Sequence, residues 1–339
     1  MDEQRVEMAV VGGGGAGTMA YLRGVLNRTQ SALFLGDADS KRKGRSTWVM
    51  HVDNIPGMHD QSRPITGTAK STLDWLNAQP ELAPWGQVHK AAVQRVERTE
   101  DGGFRLHWTE RGGEERSLET RTLIVATGVM DVQPEIDGSI QPILPFANRG
   151  DALYCVRCDG HKTIDKELSV IGAKDTAIHI ASMMADRYGH ERVQILTNGL
   201  EESFSPEVLE LAEAYGMSVH RSPIAAVRGD ARGDGLEGFT LADGSAVDTD
   251  CAIVSLGAIV YNDLLKQLGA ELDATGRPVL GERYETSVPG VFAVGDLVAG
   301  HKMQVYTAWD EAVDAADAVD ARLRAEKRAA KLEALRARA

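Results

Sequence analysis

The chain has 339 residues, enough for two ordinary domains with sizeable cores. Its 43% hydrophobic and 26% charged content is that of a globular protein, and a net charge of −13 argues against a nucleic-acid binder. No apolar run approaches ~18 residues, the first residues are polar and lead straight into a strand, and three cysteines with one close pair suit a reducing compartment. The expectation is a cytoplasmic protein without a membrane span or signal peptide.

Residues 6–11 form a short apolar run, followed at once by Gly12-Gly13-Gly14-Gly15-Ala16-Gly17. Residues 18–26 read as a helix and 32–35 as the next strand, the βαβ context in which a GxGxxG loop binds a dinucleotide. Gly12 makes the tight turn, Gly14 lets backbone approach a pyrophosphate, and Gly17 lets helix and strand pack closely. The amides at the helix start, Gly15 among them, supply donors for phosphate. Asp37 ends the second strand about twenty residues past the glycines, where an acid binds the adenosine ribose. Residues 88–96 and 104–108 read as alternating strands joined through Asp101-Gly102-Gly103. A buried strand over 122–125 ends in Ala126-Thr127-Gly128, and the proline-rich residues 134–145 read as a linker.

Next comes Tyr154-Cys155-Val156-Arg157-Cys158-Asp159-Gly160. Two cysteines at this spacing can close and reopen a small disulfide, and such settings commonly lower one thiol's pKa. Asp159, directly after the second, is placed to trade protons with the departing sulfur. A zinc site is the competing reading, but it needs four N/S ligands; His161 adds a third and no fourth follows. Haem attachment needs His where Asp159 stands. The pair reads as redox-active.

The first half's pattern then recurs. Residues 168–171 and 193–196 read as strands flanking Gly172-Ala173-Lys174-Asp175-Thr176-Ala177 and a helical run through Met184. Ser205-Pro206-Glu207 opens a helix that Gly216 closes, Asp243-Gly244 marks a hairpin, and a strand over 251–255 ends in Leu256-Gly257. This is an internal repeat of a whole doubly wound α/β domain. A last strand over 291–294 leads into Gly295-Asp296. From about Met303 to the end the pattern is helical, with acids early and bases late, which suits the helix dipole; the basic end reads as solvated.

With these motifs in order, the chain resembles the low-molecular-weight thioredoxin reductases of the two-dinucleotide-domain flavoprotein family. The residues that carry the resemblance are Gly12/Gly14/Gly17, Ala126-Thr127-Gly128, the Cys155–Gly160 motif, Gly295-Asp296 and Val52-Asp53-Asn54-Ile55-Pro56-Gly57. The resemblance implies two Rossmann-like three-layer (ββα) domains. FAD would lie in a domain split between residues 1–136 and 260–339, with the cysteines in an inserted domain over 137–259. It also implies that Asp296 bonds the ribityl and phosphate region, and that Asn54 and Gln304 lie by the flavin ring. Cys158 would face the flavin, Cys155 would exchange with a thioredoxin-like protein, Asp159 would act as acid and base, and the protein would form a homodimer. By the same matching Trp48, His51, His301, Tyr306 and Trp309 fall near the flavin, where Tyr306 or Trp309 stacks on the ring or simply packs its helix.

The departures bear on the electron donor. The family's second glycine fingerprint binds NADPH, but its middle glycine here is Lys174. Where the family carries His-Arg-Arg this chain has Thr197-Asn198-Gly199, and His179-Ile180 replace an acidic pair, so no guanidinium fork awaits a 2′-phosphate. Lys174 still offers a point charge, so the site is damaged and NADPH is a doubtful donor. Ferredoxin-dependent flavin thioredoxin reductases and deeply branching relatives have lost the same motifs, and the chain is similar to them. From a plant-type ferredoxin near ~−400 mV to thioredoxin near ~−270 mV, two electrons run about 6 kcal/mol downhill. The run Lys41-Arg42-Lys43-Gly44-Arg45 is a candidate ferredoxin contact. A dithiol oxidase using oxygen is the competing enzyme reading, although its usual CxxC is followed by His-Gly. A flavin redox sensor is the non-enzyme alternative.

Overall fold

The computed structural model describes residues 5–37, 42–59, 65–298 and 302–338. Lys41 and His301 lie outside the described residues. The chain divides into two compact units, one of residues 1–44, 66–130 and 260–339, the other of 45–65 and 131–259.

In the first unit β1 (Arg5–Val11) leads through the glycine loop into α1 (Gly15–Leu26) and back along β2 (Ser31–Phe34), parallel to β1. Met8 through Val11 are all buried, so the strand reads as a continuous apolar run rather than an alternation. Helix α2 (Thr66–Asn77) carries the chain to β3 (Gly86–His89), which extends the parallel sheet beyond β2. A meander follows, β4 (Arg95–Arg98) antiparallel to β5 (Phe104–Thr109), and β5 antiparallel to the first half of the eleven-residue β6 (Glu115–Val125). The second half of β6 runs parallel between β1 and the strand Val291–Ala293. One long strand thus serves both sheet and meander, which gives the ββα layering the sequence implies. β5 alternates cleanly, turning Phe104, Leu106 and Trp108 inward.

The single strand expected over 88–96 is two. Its amino-terminal end pairs with β2 and its carboxy-terminal end joins the meander, with Ala91 buried between them. Alternation records one buried face and not the partner strand. The C-terminal helix Val305–Arg336 lies against α1 through the small residues Ala308, Ala312, Ala315 and Ala316. Arg23 clamps Asp317 in two bonds of 2.6 and 3.1 Å, and Asn27 adds a third at 3.2 Å. Leu323 is the last buried residue of this helix; the described residues after it are exposed.

The second unit repeats the plan. Its parallel sheet runs β10–β9–β8–β14–β7, made of β7 (Ala152–Leu153), β8 (Leu168–Ile171), β9 (Val193–Leu196), β10 (Ser218–His220) and β14 (Cys251–Val254). Between β7 and β8 stands the one-turn α3 (Val156–Asp159); α4 (Asp175–Tyr188) links β8 to β9, and α5 (Pro206–Ala214) links β9 to β10. The meander is β11 (Ile224–Asp230), β12 (Gly235–Leu241) and β13 (Ala246–Asp248), with Gly244 at φ +85° turning the hairpin at Asp243-Gly244. β8 and β14 are wholly buried, and burial pushes the Cys251 thiol up to about 12, so that sulfur is packing material. Residues 134–145, expected as a linker, are folded. Ile136 and Ile143 are buried and the segment runs into the helix Leu144–Arg149. Among the described residues, no helix is long and apolar enough to cross a membrane.

Candidate active site

The cysteines stand where β7 ends. Cys155 caps α3 in extended conformation (φ −140°, ψ 100°), and its Sγ accepts the amide N–H of Cys158 at 3.2 Å. The two sulfurs are joined as a disulfide, with Cα atoms 5.3 Å apart. The turn makes the sulfurs unequal: Cys155 is half-buried and Cys158 is 8% exposed. Cys155 is therefore the more accessible sulfur, and the Cys158 amide points at it.

Asp159 is 2% exposed. Burial raises its pKa; Lys162 opposes that rise, its Nζ donating to Asp159 Oδ1 at 2.7 Å. Lys162 also lies 3.2 Å from Asp53 Oδ2, and His161 Nε2 lies 3.1 Å from the same oxygen. Burial works to raise Asp53 as well, but Lys162 and His161 together outweigh it and hold that carboxyl low. Asn54 reaches the Arg157 carbonyl with its Nδ2 at 3.4 Å, so residues 53 and 54 both bear on the cysteine turn. The approach is anchored by Arg45 and the Trp48 indole N–H (3.1 Å), both bonded to the buried Asp131. Trp48 is thus fixed inside the second unit. Sequence reasoning singles out Cys155, Cys158 and Asp159, and weighs His161 as a third zinc ligand only to set it aside as a surface histidine. It misses Lys162, although three residues after Asp159 that side chain falls on the same side of a helical turn.

In the first unit each fingerprint glycine has a distinct reason. Gly12 sits at φ +123°, and a Cβ there would lie 2.1 Å from the Ala126 carbonyl oxygen. A Cβ on Gly17 would strike the Gly12 carbonyl at 1.8 Å, whereas one on Gly14 would meet nothing within 4 Å. The chain itself leaves that space open at the start of α1, whose cap has no side-chain hydrogen bond. This is the cradle a pyrophosphate needs, and the residues fit FAD. Asp37 is exposed after β2. Gly128 turns at φ +68°, with the Thr127 hydroxyl on the Tyr261 carbonyl at 2.6 Å. Gly295 turns at φ +76° ahead of Asp296, and the buried Gln304 caps the C-terminal helix. Trp309 lies over Gly15, its Nε1 3.4 Å from the place of a Cβ there, and Tyr306 is exposed. Sequence reasoning also misses Glu311. Its Oε2 accepts the Gly295 amide at 2.7 Å, and burial, with Asp296 and Asp310 nearby, pushes its carboxyl up to about 7.

The corresponding turn of the second unit is different. Lys174 occupies the cap of α4, exposed and in extended conformation. The chain after β9 folds across this helix start: Ser203 N–H bonds the Ala173 carbonyl at 2.9 Å, and Ser205 N–H bonds Asp175 Oδ1 at 2.8 Å. Asn198 is a brace between strands, its amide nitrogen on the Glu135 carbonyl and its oxygen on the Ile224 amide, 2.9 and 2.8 Å. Arg221 is paired with Glu202 at 2.8 Å.

Residues 6–312 match the model of the pyridine nucleotide-disulphide oxidoreductase family. The chain belongs to that family. It is accordingly an FAD-dependent disulphide oxidoreductase of the thioredoxin-reductase-like kind. A thioredoxin reductase of Helicobacter pylori is 25% identical over 92% of this chain and 96% of its own length. The thioredoxin reductase sirT of Leptosphaeria maculans is 26% identical over 88% of each. An alkyl hydroperoxide reductase component of Pseudomonas aeruginosa is 24% identical over 91% of this chain, which spans 56% of that protein. Among solved structures, HlmI superposes with a TM-score of 0.80 at 26% identity over 98% of both chains. The thioredoxin reductase of Streptococcus pyogenes, at 19% identity, covers 96% of this chain and all of its own with a TM-score of 0.79, and shows the shared fold.

Proposed function

We propose that the protein reduces the disulfide of a thioredoxin-like protein through Cys155 and Cys158, using FAD held in the first unit and an electron donor other than a nicotinamide. The observation that carries the reading is the cysteine turn, an outer sulfur with an amide aimed at it and an inner sulfur followed by a buried acid. Gly12, Gly14, Gly15 and Gly17 would hold the FAD pyrophosphate, Asp37 the ribose, Ala126, Thr127 and Gly128 the adjoining wall, and Gly295, Asp296 and Gln304 the ribityl side. When bound, FAD supplies the electron pair that opens the disulfide. The residues themselves do the rest: Cys155 takes the partner's disulfide, Cys158 resolves it, and Asp159 holds and returns the proton.

Against a nicotinamide donor stand the side chain at Lys174, the strap of Ser203 and Ser205 over the α4 start, and Asn198 committed to the backbone. A low-potential one-electron carrier such as a ferredoxin is the donor this leaves, with Arg42, Lys43 and Arg45 as its contact, though Arg42 is engaged with Asp263 and Arg45 with Asp131. The cytoplasm and a homodimer are part of the same proposal. To test the exchange itself, photoreduced enzyme is mixed anaerobically with oxidised thioredoxin and the thioredoxin thiols are counted. The reading expects up to two dithiols per fully reduced enzyme, one from the cysteine pair and one from the flavin behind it, and none from Cys158→Ser; equal yields from both proteins would sink it.

A further inference from the structure

Beside the disulfide lies a four-membered charge cluster, of which the exchange chemistry alone requires only Asp159. Its side chains are graded in exposure, His161 48%, Asp53 35%, Lys162 28% and Asp159 3%, and each touches the next. Two of the four come from the turn after α3, and Asp53 comes from the 52–57 segment on the other side. We propose that Lys162 is a positioning residue, which by bonding both Asp159 and Asp53 keeps Asp159 ionised in its buried place and ready to take the Cys158 proton.

Asp159 is almost wholly buried, and an isolated carboxyl there takes up a proton near neutral pH and can no longer act as a base. Asp53 adds a second negative charge and makes this worse. An ammonium 2.7 Å from one carboxylate and 3.2 Å from the other works against both penalties, although burial still leaves Asp159 raised. Lys162 is itself held protonated: burial works against its charge, and the two carboxylates outweigh that. The other groups facing this corner are His161, the Tyr188 ring of α4 against Gly160, His190 on the Thr163 hydroxyl, and the Cys251 thiol of β14, with Asp151 and Lys166 beyond it. None of these is bonded to Asp159, and Lys162 acts on it more strongly than His161, so most of the burden falls on Lys162.

The role rests on the reading of Cys155 and Cys158 as an exchange pair. In that exchange the Cys155 thiolate attacks the substrate disulfide, forming a mixed disulfide and releasing one substrate sulfur. Cys158 then gives its proton to Asp159 and attacks Cys155 Sγ. The Cys155–Cys158 bond forms and the second substrate sulfur leaves, to be protonated. Two electrons pass from the enzyme dithiol to the substrate, and no outside oxidant enters.

The test follows holoenzyme with its cysteine pair reduced and its flavin oxidised, reacting anaerobically with 5,5′-dithiobis(2-nitrobenzoate), whose thionitrobenzoate is released in two phases, attack by Cys155 and closure by Cys158. Lys162→Met is expected to leave the first phase intact, to slow the second about tenfold at neutral pH, and to move its acid limb upward by about one pH unit. Lys162→Arg restores both, and Lys162→Met added to Asp159→Asn slows closure no further. Lys162→Gln replaces Lys162→Met where the methionine variant does not fold. A second phase of unchanged rate and pH midpoint overturns the proposal, as does an equal loss in the Asp159→Asn background. A second phase that survives Cys158→Ser overturns the exchange reading instead, and this proposal with it.

Discussion

At the scale of single residues the chemistry turns on carboxyls that burial has displaced from their ordinary behaviour. In the proposed exchange Asp159 takes the proton of the inner sulfur, so Asp159→Asn is expected to slow disulfide closure by about 10²-fold or more while the disulfide still forms on air oxidation. Rapid-quench trapping of the mixed disulfide checks this, and unchanged lifetimes would refute it. Glu311 gives the stability prediction. Its carboxyl is raised from 4.5 to about 7 in the folded protein. Folding therefore favours the protonated form: the contribution is full below pH 4.5 and is lost as pH rises through about 7. The ceiling is about 3 kcal/mol. Between pH 5 and 8 the melting temperature should fall more steeply in the parent than in Glu311→Gln, and parallel curves would contradict the assignment. The cysteine pair and Asp159 were legible because covalent spacing alone brings them together. The partners of Lys162 and Glu311 were not. Asp53 and Gly295 approach them only through the tertiary fold, and no local period encodes that.

At the scale of elements the glycine loop separates folding from binding. Gly17 abuts the Gly12 carbonyl, so Gly17→Ala should destabilise the first unit by about 2 kcal/mol or more. Gly14 faces open space, so Gly14→Ala should fold normally and lose FAD affinity about tenfold or more. Melting curves and FAD titration of the apoprotein distinguish the two, and equal stability loss at both would defeat the cradle assignment. The C-terminal helix makes a second contrast. Its first half packs through alanines, while beyond Leu323 the helix is solvated and touches the body by surface ion pairs such as Lys327–Glu7, each worth little. A chain ending at Leu323 should keep its stability within about 1 kcal/mol. Strand order was readable where a glycine turn and a helix separate two apolar runs, as from β1 to β2. It was not readable at residues 88–96, where unbroken alternation conceals a change of partner.

At the scale of the whole molecule, one layered plan is used twice and has diverged. The first unit keeps a glycine where backbone must approach phosphate. The second puts Lys174 there and draws the chain after β9 across the helix start through Ser203 and Ser205. The repeat itself was plain in the sequence, and so was the loss of glycine at Lys174. The strap was not, because serines in a loop carry no sign of where their amides go. Whatever donor reduces the protein, the account requires that it be other than NADPH or NADH. The direct test is an anaerobic titration of the yellow holoprotein, following the visible flavin band as NADPH, NADH and photoreduced ferredoxin are added in turn. Neither nicotinamide should bleach the flavin rapidly, whereas ferredoxin should bleach it and lead to reduction of added thioredoxin. Rapid bleaching by stoichiometric NADPH would contradict the account.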